Sequence, residues 1–177
     1  SWNGSSWTET TDINTARYQH AGNGTTTSGL IYGGQTAPGS LVSITESWNG
    51  SAWTEVSDLN SARQTLGGEG TGNDNGLAFG GNSPSPAYMA NTESWNGSSW
   101  TEVADLGTGR TELSGAGPSN TLALAMGGQD GSGNSNIIDY ITIGSTGNAT
   151  DFGDLTVARY YCAGLSNSTR GVGASGE

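Results

Sequence analysis

A segment that reads Trp-Asn-Gly-Ser-(Ser/Ala)-Trp-Thr-Glu occurs three times, at Trp2 to Glu9, Trp48 to Glu55 and Trp95 to Glu102, at steps of 46 and 47 residues. A repeat of about 40 to 50 residues cannot bury its own apolar face. It marks a propeller or a stacked array, in which neighbouring copies supply one another's core. Function is then to be sought in what differs between the copies.

Other landmarks keep the same step. Arg17, Arg63, Arg110 and Arg159 mark four copies, each five residues after an acid: Asp12, Asp58, Asp105 and Asp154. A Gly-rich stop follows in each copy: Gly33-Gly34, Gly80-Gly81, Gly127-Gly128 and the imperfect Ser175-Gly176. In place of a fourth tryptophan pair the chain reads Ile138-Asp139-Tyr140-Ile141-Thr142-Ile143, then Gly147-Asn148 and Phe152.

Each copy reads as four short strands. The first runs on from the arginine, as in Arg17 to Ala21. The second ends in the double glycine: Gly29 to Tyr32, Gly76 to Phe79 and Leu122 to Met126. After a polar loop, a third strand such as Ile44 to Trp48 joins a fourth, Ser51 to Val56, through Asn49-Gly50. Asn-Gly between strand-like runs predicts a two-residue type I′ hairpin, which needs positive φ at both central positions. Four antiparallel strands make one propeller blade. The expected fold is therefore all-β, a propeller of four-stranded blades with four repeats, about 1–46, 47–93, 94–137 and 138–177.

Composition alone points elsewhere. Large aliphatics are scarce, the net charge is −11 and the chain holds 31 glycines, which on composition rules reads as disorder. The repeat overrules that reading. Six tryptophans and six tyrosines recur at strand positions, and each large aromatic buries on the order of 150–250 Å².

The order of arginine, small residues, an apolar strand ending in Gly-Gly, and then Glu93-Ser94-Trp95-Asn96-Gly97-Ser98-Ser99-Trp100-Thr101-Glu102 resembles the kelch motif. The resemblance spans essentially the whole chain and implies a β-propeller. The turn between third and fourth strands is shorter than in most kelch repeats. The wording of the repeats, including Gly147 to Leu155, is also similar to repeat proteins of marine bacteriophages, which implies a tail fibre or another virion-surface setting.

The sequence opens at a third strand and closes after a second, so its ends read as complementary halves of one blade. Two expectations stand side by side. Four blades close on themselves by pairing first and last strands, as propellers do to hide their edges, or the repeats belong to a longer array.

With five arginines and no lysine, there is no basic stripe to neutralise phosphates, and the net charge repels nucleic acid and anionic membrane. Neither nucleic-acid binding nor membrane insertion is expected. The single Cys162 excludes an internal disulfide.

Candidate chemistry mostly dissolves into the repeat. A catalytic pair is needed once, whereas Asp-x4-Arg occurs four times, so these pairs are expected to be structural ties. His20, the only histidine, matches Leu66, Leu113 and Cys162 in register, which predicts a side chain packed between blades. One histidine cannot supply the copper site of a galactose-oxidase-like propeller. The Asn49 to Trp53 turn loosely resembles a sialidase hairpin, but four of the five arginines sit at equivalent positions and do not form that family's carboxylate-binding cluster. No enzymatic activity and no cofactor are expected. Asp130 to Asn136 spaces oxygen ligands like the start of a calcium loop but lacks the later glutamate, so a polar turn is expected. Six Asn-x-Ser/Thr sequons, at Asn3, Asn23, Asn49, Asn96, Asn148 and Asn167, coincide in three cases with the Asn-Gly turn.

The loops between second and third strands, 35–43, 82–92 and 129–137, are unlike one another while the strands are alike, which is the layout of a recognition scaffold. They share a face with the links between blades. Tyr88 and Met89 read as its exposed apolar contacts and Asp130 as its charge. The expected function is a non-enzymatic binding or adhesion module, extracellular or on a virion surface, that recognises a glycan or protein. The alternative is a purely structural protein contacting other virion or surface subunits, and a propeller hydrolase is the remote third.

Overall fold

The computed structural model describes residues 1–119, 122–142, 148–167, 169–174 and 176–177. The expectations placed on Ile143, Gly147 and Ser175 lie outside the described residues. The described chain is all-β, with no helix among its elements.

The first part contains β1 (Ala21–Gly24), β2 (Gly29–Tyr32), β3 (Gln35–Thr36), β4 (Ser40–Leu41), β5 (Thr45–Trp48) and β6 (Trp53–Val56). Strands β1-β2-β5-β6 form one antiparallel sheet in that order, and β3-β4 form a small hairpin projecting from it. The pattern repeats in β7 (Gly67–Gly72), β8 (Asn75–Phe79), β9 (Thr92–Trp95) and β10 (Trp100–Glu102), whose sheet is ordered β10-β9-β8-β7. It repeats again in β11 (Ser114–Ser119), β12 (Leu122–Met126), β13 (Gln129–Asp130), β14 (Gly133–Asn134), β15 (Ile137–Thr142) and β16 (Thr150–Asp154). Here β11-β12-β15-β16 is the sheet and β13-β14 the projecting hairpin. The chain continues into an isolated pair, β17 (Ala163–Ser166) with β18 (Gly171–Ala174). At its start, Trp2 and Trp7 are bridged alone.

Two strand expectations shift. Residues 17–20 are not strand: Gln19 has φ 57°, and β1 begins at Ala21. The Asn-Gly turn is a four-residue loop, because Trp48 pairs with Trp53 and only Gly50 has positive φ, at 94°. The reason is the asparagine side chain. Asn49 Oδ1 accepts the amides of Ser51 and Ala52, both at 3.0 Å, and this local capping holds a wider loop than type I′ requires. Asn3 and Asn96 do the same.

The sheets pack face to face in chain order. One apolar layer joins Leu30 and Tyr32 of the first sheet to Ala78, Trp95 and Trp100 of the second; the next joins Leu77 and Phe79 to Ala123, Ala125 and Ile141. The Tyr32 hydroxyl donates across the first layer to the Leu77 carbonyl at 2.8 Å, so its buried oxygen is satisfied. The first strands lie side by side, β1 by β7, β7 by β11 and β11 by β17. Glycine permits this approach: a Cβ on Gly115 would fall 2.3 Å from the Gly68 carbonyl oxygen, and one on Gly164 1.8 Å from that of Gly115.

That series has an open end. Gly22, the equivalent residue of β1, has its nearest atoms in its own sheet, at Leu30 and Ile31. Among the described residues no pairing joins β17 or β18 to the Trp2–Trp7 bridge. The three complete sheets thus form an open arc, and the expected closure between first and last strands is not observed.

The three tryptophan pairs keep one geometry, with centroid separations of 5.6, 5.3 and 5.4 Å at interplanar angles of 43°, 40° and 47°. Their burial differs. Trp100 is 6% exposed, Trp53 is half-buried and Trp7 is 79% exposed. The expectation that all three are equivalent core residues is corrected by position in the arc: Trp100 packs edge-on against Tyr32 of the preceding sheet at 4.9 Å, and Trp53 has no preceding sheet to meet.

Candidate recognition face

Each copy turns the same corner after its arginine. The arginines pair with acids on the third strand of their own sheet, Arg17 with Glu46, Arg63 with Glu93 at 2.8 Å, and Arg110 with Asp139. All three pairs are buried. This corrects the expected pairing within Asp-x4-Arg. Asp58 and Asp105 instead accept the backbone amides of Thr45 and Thr92, each at 3.3 Å, tying the linker to the third strand.

A buried carboxylate needs every lone pair occupied, and asparagine supplies the remaining donors. The Asn14 amide and side chain both reach Glu46 Oε2, at 2.7 and 2.8 Å, and Asn60 does the same to Glu93 at 2.8 and 2.7 Å. In the third copy Gly107 stands where asparagine stood and a shorter aspartate replaces glutamate, with the Gly107 amide still bonded to it. The outcome differs accordingly. Burial pushes Glu46 up, but Arg17 and the amides of Asn14 and Thr15 outweigh it and hold its pKa below the usual value. Burial wins at Asp139 despite Arg110, and its pKa is raised. The recurrence of asparagine three residues before Arg17 and Arg63 was the available sequence signal for this network.

Beyond the arginine, four non-glycine residues occupy equivalent left-handed positions: Gln19 (φ 57°), Thr65 (51°), Glu112 (58°) and Tyr161 (53°). Such a conformation is strained for any of them, most of all for β-branched threonine. A chain of backbone bonds from copy to copy holds it. Thr65 donates to the Gln19 carbonyl at 2.8 Å, Glu112 to Thr65 at 2.8 Å and Tyr161 to Glu112 at 3.0 Å. The Thr65 and Thr111 hydroxyls also bond to each other.

These corners surround one funnel of about 220 Å³, lined by Gln19, His20, Thr65, Leu66, Glu112, Leu113, Tyr161 and Cys162. His20, Leu66, Leu113 and Cys162 are register equivalents, each against the second glycine of its copy's stop, Gly34, Gly81, Gly128 and Gly176. Leu66 and Leu113 are buried while His20 is exposed at the opening. The funnel wall still lowers the His20 pKa by desolvation, and burial raises that of the Cys162 thiol. Acids gather at the Tyr161 side. Glu112 is hydrogen-bonded to the Tyr161 side chain, whose pKa it raises, and the Tyr160 hydroxyl donates to Glu177 at 3.1 Å.

The loops after the second strands rise from the same end of the sheets. Backbone pairs tie them to the corners, Tyr18 with Gln35, Gln64 with Asn82, Thr111 with Gln129 and Tyr160 with Glu177. Of the three residues expected to make contacts here, Tyr88 is exposed, with its ring 3.9 Å from where a Cβ on Gly131 would stand, so it lies against the β13–β14 hairpin. Asp130 sits in that hairpin, where its Oδ1 accepts the Ser132 amide at 2.6 Å, as a turn cap does. Met89 is corrected: it is only 4% exposed, because its backbone is bonded to Gly81 and Arg110 and places the side chain inward. The funnel corners went unnoticed in the sequence, since Gln, Thr, Glu and Tyr share no residue type, although their offset of two from each arginine is constant.

Among the described residues no group of three or more His, Cys, Asp or Glu side chains is disposed to hold a metal ion. No described helix is long and apolar enough to cross a membrane. No protein-family model matches the chain, and no curated protein matches it.

Proposed function

We propose that this chain is a kelch-like β-propeller segment acting as a binding or adhesion module on a virion or other extracellular surface, with the funnel and its surrounding loops as the recognition face. The observation that carries this reading is a constant frame bearing unlike side chains. Gln19, Thr65, Glu112 and Tyr161 occupy one strained backbone position, held by bonds between copies. Strain concentrated at a position where side chains vary is the pattern of a functional site.

The face suits neutral polar or cationic groups of a glycan or protein. It offers Glu112, Asp130 and Glu177 as acids and Tyr88, Tyr160 and Tyr161 as aromatic surface, with tyrosine supplying contact area at small rotamer cost. Binding of the purified chain to glycan and peptide arrays tests the reading. Replacing Tyr88, Glu112 and Tyr161 together by Ala is expected to abolish any hit. Hits that survive in a folded triple variant would remove this face from consideration.

A further inference from the structure

We propose that copies of this chain associate head to tail, with the Trp2–Trp7 hairpin of one copy completing the half-sheet β17–β18 of the next. The two ends of the arc present complementary vacancies. At one end β18 pairs only with β17, and its other edge is unpaired among the described residues. Beside that edge lies an apolar cavity of about 460 Å³, walled by Leu124, Tyr140 and Phe152 of the third sheet and by Val172 of β18. At the other end Trp2 and Trp7 are 46% and 79% exposed. Next to them a cavity of about 470 Å³ runs along Leu30, Trp48 and Trp53.

The chain itself contains the filled version of this joint. Ser94 to Glu102 has the same sequence as Ser1 to Glu9, Ser-Trp-Asn-Gly-Ser-Ser-Trp-Thr-Glu. In the second sheet that segment pairs with β8 in the register Gly76 to Trp95 and Leu77 to Ser94. Its two tryptophans are buried, with Trp95 Nε1 donating to the Asn73 carbonyl at 2.9 Å and Trp100 Nε1 to Thr45 Oγ1 at 3.0 Å. Counting back from the Gly-rich stops, Gly171 and Val172 of β18 correspond to Gly76 and Leu77. Trp2 of an incoming copy therefore pairs opposite Gly171, and Ser1 opposite Val172. Its indole enters the cavity beside Leu124, the counterpart of Leu30, which helps to bury Trp95.

The occupant is a second copy because the seat matches a sequence this chain carries and leaves exposed. The open arc between Gly22 and β17 keeps a chain's own hairpin from its own β18. Such a contact is heterologous: it closes a ring if the rotation between copies allows, and otherwise propagates. Unpaired strand edges and exposed indoles are the surfaces that such addition removes from water. The proposal is independent of the recognition face, which lies on the corner side of the sheets.

Sedimentation equilibrium of the 177-residue chain at 1 to 200 µM, with two blocking variants, tests it. The unmodified chain is expected to exceed its monomer mass of 17.9 kDa as concentration rises. Trp2→Ala with Trp7→Ala removes the hairpin's knobs, and Val172→Asp charges the seat at a residue 53% exposed in the single chain, so neither disturbs the core. Each variant alone is expected to stay monomeric. Mixed in equal amounts they form a capped heterodimer, since each keeps the end that the other has lost. A chain that stays monomeric to 200 µM overturns the proposal, whether its ends are free or it has closed on itself. So does association that either variant retains, or a mixture that forms no heterodimer.

Discussion

Truncating Trp100, Trp53 and Trp7 one at a time to Ala separates burial from sequence, because the three side chains occupy the same motif position. Trp100 is 6% exposed, lies 4.9 Å from the Tyr32 ring and 5.4 Å from the Trp95 ring, and donates to Thr45 Oγ1 at 3.0 Å. Removing it returns on the order of 200 Å² of buried area. At about 25 cal/mol per Å² this is worth about 5 kcal/mol, an upper value because a denatured chain already buries part of that surface. The alanine methyl restores a little, while the lost aromatic pairs and the orphaned Thr45 hydroxyl act the other way. The expected loss is about 4 kcal/mol, within the usual range for emptying an aromatic core site. Half-buried Trp53, packed on Trp48 alone at 5.3 Å, is expected to lose about 2 kcal/mol. Trp7, 79% exposed, is expected to lose under about 0.5 kcal/mol. Urea denaturation followed by far-UV circular dichroism at 1 µM measures all three without relying on indole emission. Equal losses at the three positions, or a loss below about 1.5 kcal/mol at Trp100, would refute the sheet-on-sheet assignment.

Glu93→Ala strands the Arg63 guanidinium inside the second sheet and frees the Asn60 donors. A loss of about 3–5 kcal/mol in the same assay is expected for this broken buried pair, and a loss under about 1 kcal/mol would show that the pair is solvated. The acids differ in their pH signs. Glu46 has a folded-state pKa below its ordinary 4.5, so the stability it contributes is present above that value and is lost as pH falls through the folded pKa. Asp139 has a folded-state pKa above its ordinary 3.8, so its contribution is present below that value and is lost as pH rises through the folded pKa. Thermal melts from pH 3 to 7 should therefore show a shallower acid limb in Glu46→Gln and a steeper one in Asp139→Asn. Identical changes of slope would contradict the contrast between the two sites.

The repeat period, the strand count and the equivalence of His20, Leu66, Leu113 and Cys162 were legible because hydrophobic spacing and the Gly-Gly stops encode them directly. The loop at Asn49 was misjudged because one asparagine side chain can cap either a two-residue or a four-residue turn, and the Asn-Gly pair does not distinguish them. The arginine partners were misassigned for a different reason. Sequence proximity favoured Asp58 for Arg63, whereas the fold brings Glu93 to it across the sheet. Burial of Met89 depended on its backbone bonds to Gly81 and Arg110, which no local pattern reveals. The graded exposure of Trp7, Trp53 and Trp100 reflects only whether a neighbouring sheet is present, and identical motifs cannot report that. The glycines that let first strands approach, Gly68, Gly115 and Gly164, were visible as composition but not as a set, since their meaning appears only when strands from different copies lie side by side.

Amide hydrogen exchange of the chain at 1 µM tests most directly the claim that successive sheets stack face to face in an open arc. Strands buried between two neighbours, β8 and β12, are expected to exchange slowest. Strands β2 and β5 should be intermediate, and β17, β18 and the Trp2–Trp7 hairpin fastest. Uniform protection across all four copies, with the Trp2–Trp7 hairpin as slow as the Trp95–Trp100 hairpin of identical sequence, would contradict the account by showing a ring already closed within one chain.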